Sequence, residues 1–203
     1  MSHTITSIEQ LEQHYGTPGE ASLIKVASHI TPTYRKYIEA SPLVALATIG
    51  PEGLDCSPRG DPGQVAYIED EKTLVIPDRR GNNRIDSLRN IVRDPKVSLM
   101  FLTPGSNTVI RVNGHAVISV DPQLMEKYAM KGKLPRTLII VTIEELYFQC
   151  ARALMRAGLW SSDHEAVTAG LPTAGDILAE MKQDFDGKTY DQEWPDRAKK
   201  SMW

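Results

Sequence analysis

The chain contains only two cysteines, Cys56 and Cys150, far apart and in no metal-ligand spacing. A disulfide framework and a zinc module are therefore not expected, and reduced thiols in a cytoplasmic setting are. Charge of one sign is lacking too. Lys and Arg number 23 against 26 Asp and Glu, a formal net charge of −3. Such a balance points to no general affinity for nucleic acid or an anionic membrane surface. No apolar run approaches the roughly 20 residues of a membrane span. The opening Met-Ser-His-Thr-Ile-Thr-Ser has no basic stretch followed by an apolar core, so no secretory signal is expected. There is no internal repeat, low-complexity segment or convincing linker, and no catalytic triad, carboxylate pair or metal cluster is visible.

What remains is ordinary for a soluble globular protein: 203 residues, 41% hydrophobic and 24% charged. One domain over residues 1–203 is expected, with a β core at about 40–160 and helical extensions at both ends. Leu43 to Ile49 is a compact apolar run, Gly50-Pro51-Glu52-Gly53 a turn, and Leu54 to Arg59 the returning strand of a hairpin. Gln64 to Ile68 and Thr73 to Ile76 form a second hairpin. Val97 to Leu102, Thr108 to Val120 and Thr137 to Gln149 complete the strands. Helices are expected over Ser7 to Tyr15, Gly19 to Ser28, Thr31 to Ala40, Asp121 to Met130, Cys150 to Gly158 and Ala174 to Phe185. The polar tail after Gly187 is expected to be mobile at its end. Hairpin-linked strands with flanking helices predict a mainly β fold, a small antiparallel barrel with peripheral helices.

The stretch Val75 to Val92 is the most informative. A short strand ends at Pro77, a polar turn follows with Gly81 for an unusual backbone angle, and a helix opens near Asn82–Arg84. Ile85, Leu88 and Val92 share one helical face, and Asn82 or Asn83 can cap it. Arg79, Arg80 and Arg84 crowd a helix start whose dipole is already positive. Two readings stand: an anion site built from helix-end amides and arginine forks, or a solvated basic loop offset by Asp78 and Asp86. Arg59, at a strand end before Gly60-Asp61, is either part of such a site or a surface ion pair. On the long strand, Ile110, Val112, Gly114, Ala116, Ile118 and Val120 share one face, and Arg111, Asn113, His115 and Ser119 the other, with Val109 and Val117. Arg111 and Asn113 lie on a solvent face or a site, and His115 reads as structural. Cys150 reads as a packed thiol, and Met125, Met130, Met155 and Met181 as core or interface filler.

Four motifs in order, Ser57-Pro58-Arg59-Gly60-Asp61, Ile76-Pro77-Asp78-Arg79-Arg80-Gly81-Asn82-Asn83-Arg84, Asp94-Pro95 before an apolar strand, and Arg111-Val112-Asn113-Gly114, resemble the pyridoxamine 5'-phosphate oxidase-like flavoproteins. Tyr147 to Ala153, continuing to Leu159-Trp160, is similar to a less characterised bacterial branch of that group. The resemblance implies an FMN-binding split β-barrel, a homodimer with FMN at its interface, and oxidoreductase activity on a small substrate. By position it implies that Arg59 contacts the flavin, and that Asp78 and Arg79 run beside the ring and ribityl chain. It implies that Asn83 and Arg84 grip the phosphate with Arg80 and Asn82 adjacent, that Arg111 and Asn113 cross the flavin edge, and that Arg152 and Trp160 come from the partner chain. The chain departs from the true oxidases at Val109, where they place Gln, and at Ile85, where they place a second phosphate cation. Their C-terminal substrate motif is missing, and Trp194-Pro195-Asp196-Arg197 is a faint echo. A flavin carrier or redox sensor, or a split barrel using deazaflavin or haem, is the alternative.

Overall fold

The computed structural model describes residues 3–161 and 168–202; Trp203 lies outside them. Helices α1 (Ile8–Tyr15), α2 (Glu20–Ile24) and α3 (Pro32–Glu39) precede strands β1 (Leu43–Gly50), β2 (Gly53–Gly60), β3 (Tyr67–Ile68) and β4 (Thr73–Asp78). Then come α4 (Asp86–Arg93), β5 (Lys96–Leu102), β6 (Val109–Ser119), α5 (Pro122–Lys127), β7 (Thr137–Gln149), α6 (Arg152–Ala157), α7 (Ala174–Met181) and α8 (Gly187–Ser201). The strands form one seven-stranded antiparallel sheet in the order β2-β1-β5-β6-β7-β4-β3. Both expected hairpins are present, Val44 facing Arg59 and Tyr67 facing Val75.

One side of this curled sheet supplies the core. Val44 and Leu46 of β1, Leu99 and Phe101 of β5, Ile110 and Val112 of β6, and Ile139, Val141 and Leu146 of β7 pack with Ile38 of α3. The alternation read along β6 is seen directly, with Ile110, Val112, Gly114 and Ala116 buried and Arg111, Asn113 and His115 half-buried. A register shift falls between Asn113 and Gly114. At Gly114 a Cβ would come within 2.0 Å of the Thr142 carbonyl oxygen, so only glycine lets β7 approach there. Helix α3 is capped by the Thr31 hydroxyl and carries Pro32 in its first turn, as its sequence predicts.

Several expectations fail. The second helix covers only Glu20–Ile24, because Ala27 leaves it to pair with Leu146 of β7. The fourth helix begins at Asp86, not near Asn82–Arg84, and neither Asn82 nor Asn83 caps it. Its N-cap is Ile85 in the left-handed region at φ 55°, with no side-chain cap. Gly81 does not carry the unusual backbone angle; Asn83 (φ 64°) and Ile85 do. The helix also presents a different face. Ser87, Asn90 and Ile91 are buried, while Ile85 and Val92 are exposed. The reason is the polar surface beneath it. Asn90 donates to the Thr48 hydroxyl at 3.1 Å, and Ser87 donates to Asp55 at 2.6 Å. The tail after Gly187 is helical, and α7 and α8 cross where Gly175 meets Gly187. Cys150 is exposed rather than packed, Met155 and Met181 are exposed on this chain and so lie outside its core, and α1 buries no residue.

Gly114→Ala should cost about 1–3 kcal/mol or more in urea unfolding, through a backbone clash that no rotamer relieves. Gly81→Ala should be neutral within about 0.5 kcal/mol, since its Cβ would meet nothing within 4 Å.

Candidate functional site

Strands β2 and β4 lie toward opposite ends of the sheet order, yet the ends of both meet in space. Two crossed ion pairs join them. Arg59 Nε, on β2, lies 3.4 Å from Asp78 Oδ1 on β4. Arg79, just after β4, donates through Nε to both Asp61 oxygens, at 3.2 and 2.9 Å, just after β2. Arg79 Nη1 also donates to the Tyr128 carbonyl at 2.9 Å. Asp61 is almost fully enclosed, with its side chain 3% exposed.

A cleft of about 450 Å³ opens at this seam. It gathers Arg59, Asp78, Arg79, Arg80, Asn82 and Asn83 with Ile85, Leu88, Arg136 and Thr137. Arg59 Nη2 donates to the Ser87 hydroxyl at 3.2 Å, and Ser57 donates to Asp55 at 2.8 Å. The Asp55–Ser57–Arg59 face of β2 therefore anchors α4 through one buried serine. The Asn82 side chain accepts from the Arg84 amide at 3.0 Å, and the Asn83 side chain accepts from Arg136 Nη1 at 2.6 Å. Arg80 is exposed at the rim.

The remaining predicted residues lie elsewhere on this chain. Arg84 is 78% exposed, pairs with Asp86 at 2.7 Å, and lines a separate cleft with Arg89, Arg93 and Glu52. Arg111 and Asn113 project from the other face of β6. Arg111 sits 5.2 Å from the Tyr147 ring centroid. Asn113 accepts from Ser98 and donates to Glu145, both at 2.7 Å. His115 pairs with Glu144 at 2.9 Å. Arg152 is exposed at the start of α6, and Trp160 donates its indole N–H to the Ser106 carbonyl at 2.8 Å. Cys150 has its thiol pKa lowered, chiefly by the Arg152 backbone N–H.

Sequence reasoning missed Ser87, Arg136 and Thr137. The only sequence signal for the last two was the basic turn Lys131-Gly132-Lys133 just before β7. Their place at the cleft comes from strand register, which sets Thr137 opposite Asp78. Three buried side-chain polar atoms, Arg59 Nε, Arg79 Nη2 and the Thr137 hydroxyl, lack a hydrogen-bond partner among the described residues, and all three belong to residues lining this cleft. The two arginine nitrogens belong to guanidiniums already ion-paired with Asp78 and Asp61. A buried hydroxyl without a partner, beside the exposed Arg80 and Arg136 and an aliphatic wall of Val65, Ile85 and Leu88, fits a ligand with an anionic end and an apolar body.

An antiparallel, split-barrel sheet carrying a basic cleft at its seam defines the class. The profile of the pyridoxamine 5'-phosphate oxidase family matches residues 30–150, and the chain belongs to that family. No curated protein sequence matches it. Among solved structures it is similar to HupZ of Group A Streptococcus, at 20% identity over 59% of this chain and 93% of that one, TM-score 0.48. A proposed pyridoxamine 5'-phosphate oxidase from Lactobacillus delbrueckii is 24% identical over 60% and 95%, TM-score 0.48. An F420 reductase is 20% identical over 59% and 98%, TM-score 0.42.

Burial raises the pKa of both Asp61 and Asp78, against the pull of Arg79 on the first and of Arg59 and Arg136 on the second. A raised folded-state pKa means the folded protein binds the proton more readily, so the ionised form costs stability at neutral pH. That cost is relieved as pH falls into the usual carboxylate range. Asp78→Asn removes this contribution. Its stability relative to wild type should therefore rise from pH 4.5 to pH 7 in urea titrations. Asp61→Ala leaves the Arg79 guanidinium enclosed without its carboxylate, and should lose about 3–5 kcal/mol.

Proposed function

We propose that the protein is an FMN-dependent oxidoreductase acting on a small molecule. The observation that carries this reading is the cleft itself. Four residues matched to the family's flavin-contacting positions, Arg59, Asp78, Arg79 and Asn83, line it with the adjacent Arg80 and Asn82, brought together from two segments of the chain. When bound, the flavin would supply the redox chemistry, accepting two electrons from a substrate and passing them to an acceptor. The chain's task is to bind and orient. Arg59 is held by Asp78 and Ser87, so its charge is fixed at the cleft wall before any ligand arrives. Val65, Ile85 and Leu88 offer the apolar surface a ring system needs.

The same reading makes the protein a single-domain cytoplasmic homodimer with the flavin at the subunit interface. Arg111, Asn113, Arg152 and Trp160, away from the cleft on their own chain, would then serve the partner's flavin. No partnership with nucleic acid or membrane forms part of this reading; no helix among the described residues is long and apolar enough to cross a membrane.

Purified protein should be yellow, or should become so on adding FMN, with one flavin per chain. Arg59→Ala should weaken FMN binding by about 1.5–3 kcal/mol, read by flavin fluorescence titration. A preparation that takes up no FMN but binds a deazaflavin or haem would overturn the cofactor. FMN bound without reoxidation turnover on any candidate amine or pyridoxamine phosphate would make it a carrier or sensor.

A further inference from the structure

The charges around the cleft do not balance evenly. Arg59 is compensated by Asp78, Arg79 by Asp61, and Arg84, outside the cleft, by Asp86. Two cations lining the cleft have no ion pair among the described residues: Arg80, and Arg136, whose hydrogen bond goes to the neutral amide of Asn83. Both also line a smaller adjoining pocket of about 150 Å³, with Met130, Lys133 and Leu134 and no carboxylate. The residue after Arg136 is Thr137, whose buried hydroxyl lacks a partner among the described residues. Arg136 is fixed from two sides. Its backbone N–H donates to the Asp78 carbonyl at 2.9 Å, and its guanidinium holds the left-handed Asn83.

We infer that Arg136 and Thr137, with Arg80, hold the phosphate of the cleft's ligand, Arg136 taking the part of the second cation that Ile85 cannot supply. A phosphomonoester carries about −1.5 to −2 at neutral pH, which two arginines without a salt bridge of their own match. Its oxygens accept from a guanidinium fork and from a hydroxyl with a proton to give. Arg84, engaged with Asp86, contributes less. The inference rests on the flavin reading for the identity of the ligand, but not for the existence of the anion site.

The test compares FMN with riboflavin, which lacks only the phosphate, by fluorescence titration of the full chain. Arg136→Gln should weaken FMN binding about tenfold or more and leave riboflavin binding unchanged. Thr137→Val should weaken FMN about threefold to tenfold, again sparing riboflavin. Arg136→Lys should recover part of the loss, and Arg84→Ala should change the FMN-to-riboflavin ratio less than Arg136→Gln does. Equal losses for both ligands, no loss at Arg136, or a larger phosphate-specific loss at Arg84 would overturn the inference. If Arg136→Gln fails to fold, Thr137→Val decides alone. If wild type binds neither flavin, the proposed function falls, and titration with inorganic phosphate decides the rest. Phosphate binding abolished by Arg136→Gln or Thr137→Val keeps the anion site, and its absence in wild type overturns it.

Discussion

The crossed pairs Arg59–Asp78 and Arg79–Asp61 are the constraint on which the site depends. Strands β2 and β4 stand five places apart in the sheet order, so no ladder of backbone hydrogen bonds joins them. Side-chain charges join them instead. Each pair takes one partner from the end of β2 and one from the end of β4. A charge pair tolerates a gap that a backbone hydrogen bond does not, and that gap is the cleft. Burial makes the arrangement costly, as the raised pKa of both aspartates shows. Pairing keeps it intact, because removing either partner would strand an enclosed charge.

The fourth helix is tied to the same seam. Its Ser87 hydroxyl touches Asp55 and Arg59 of β2, and its Asn90 amide reaches Thr48 of β1. Polar Ser87 and Asn90 therefore face inward beside the core residue Ile91, while Val92 faces solvent with Arg89 and Arg93. The turn before the helix contains two left-handed residues, Asn83 and Ile85. Asn83 adopts that conformation readily, and Arg136 holds it there. Ile85 adopts it at a cost of about 1–2 kcal/mol. Strain at a β-branched residue on the wall of a ligand-sized cleft is where such strain tends to persist.

Much of the fold was legible in the residues. Alternation along Ile110 to Ala116, the Gly50-Pro51-Glu52-Gly53 turn and the Thr31-Pro32 helix start are local signals, set by neighbours in the chain, and each recurs in the structure; Val120, read on the apolar face, is exposed. The cleft was legible in part. Arg59 and the Asp78 to Asn83 segment stood out because arginine, glycine and asparagine cluster there. What misled was spacing: Ile85, Leu88 and Val92 fall on one helical face, but periodicity cannot tell that the surface awaiting the helix is polar. Arg136 and Thr137 could not have been found that way, since the basic turn Lys131-Gly132-Lys133 before them says nothing of which strand they would face.

The sequence by itself determined the strands, their hairpins, the family and the basic character of the segment after β4, because these follow from short-range pattern and motif order. Only the tertiary structure decided which arginines are ion-paired within the protein and which are not. Arg79 and Arg80 are neighbours in the chain, yet one is locked against Asp61 and Tyr128 and the other is not. That division depends on which carboxylates the closed seam brings within reach. It is a property of strand order and register, which no local stretch of sequence contains.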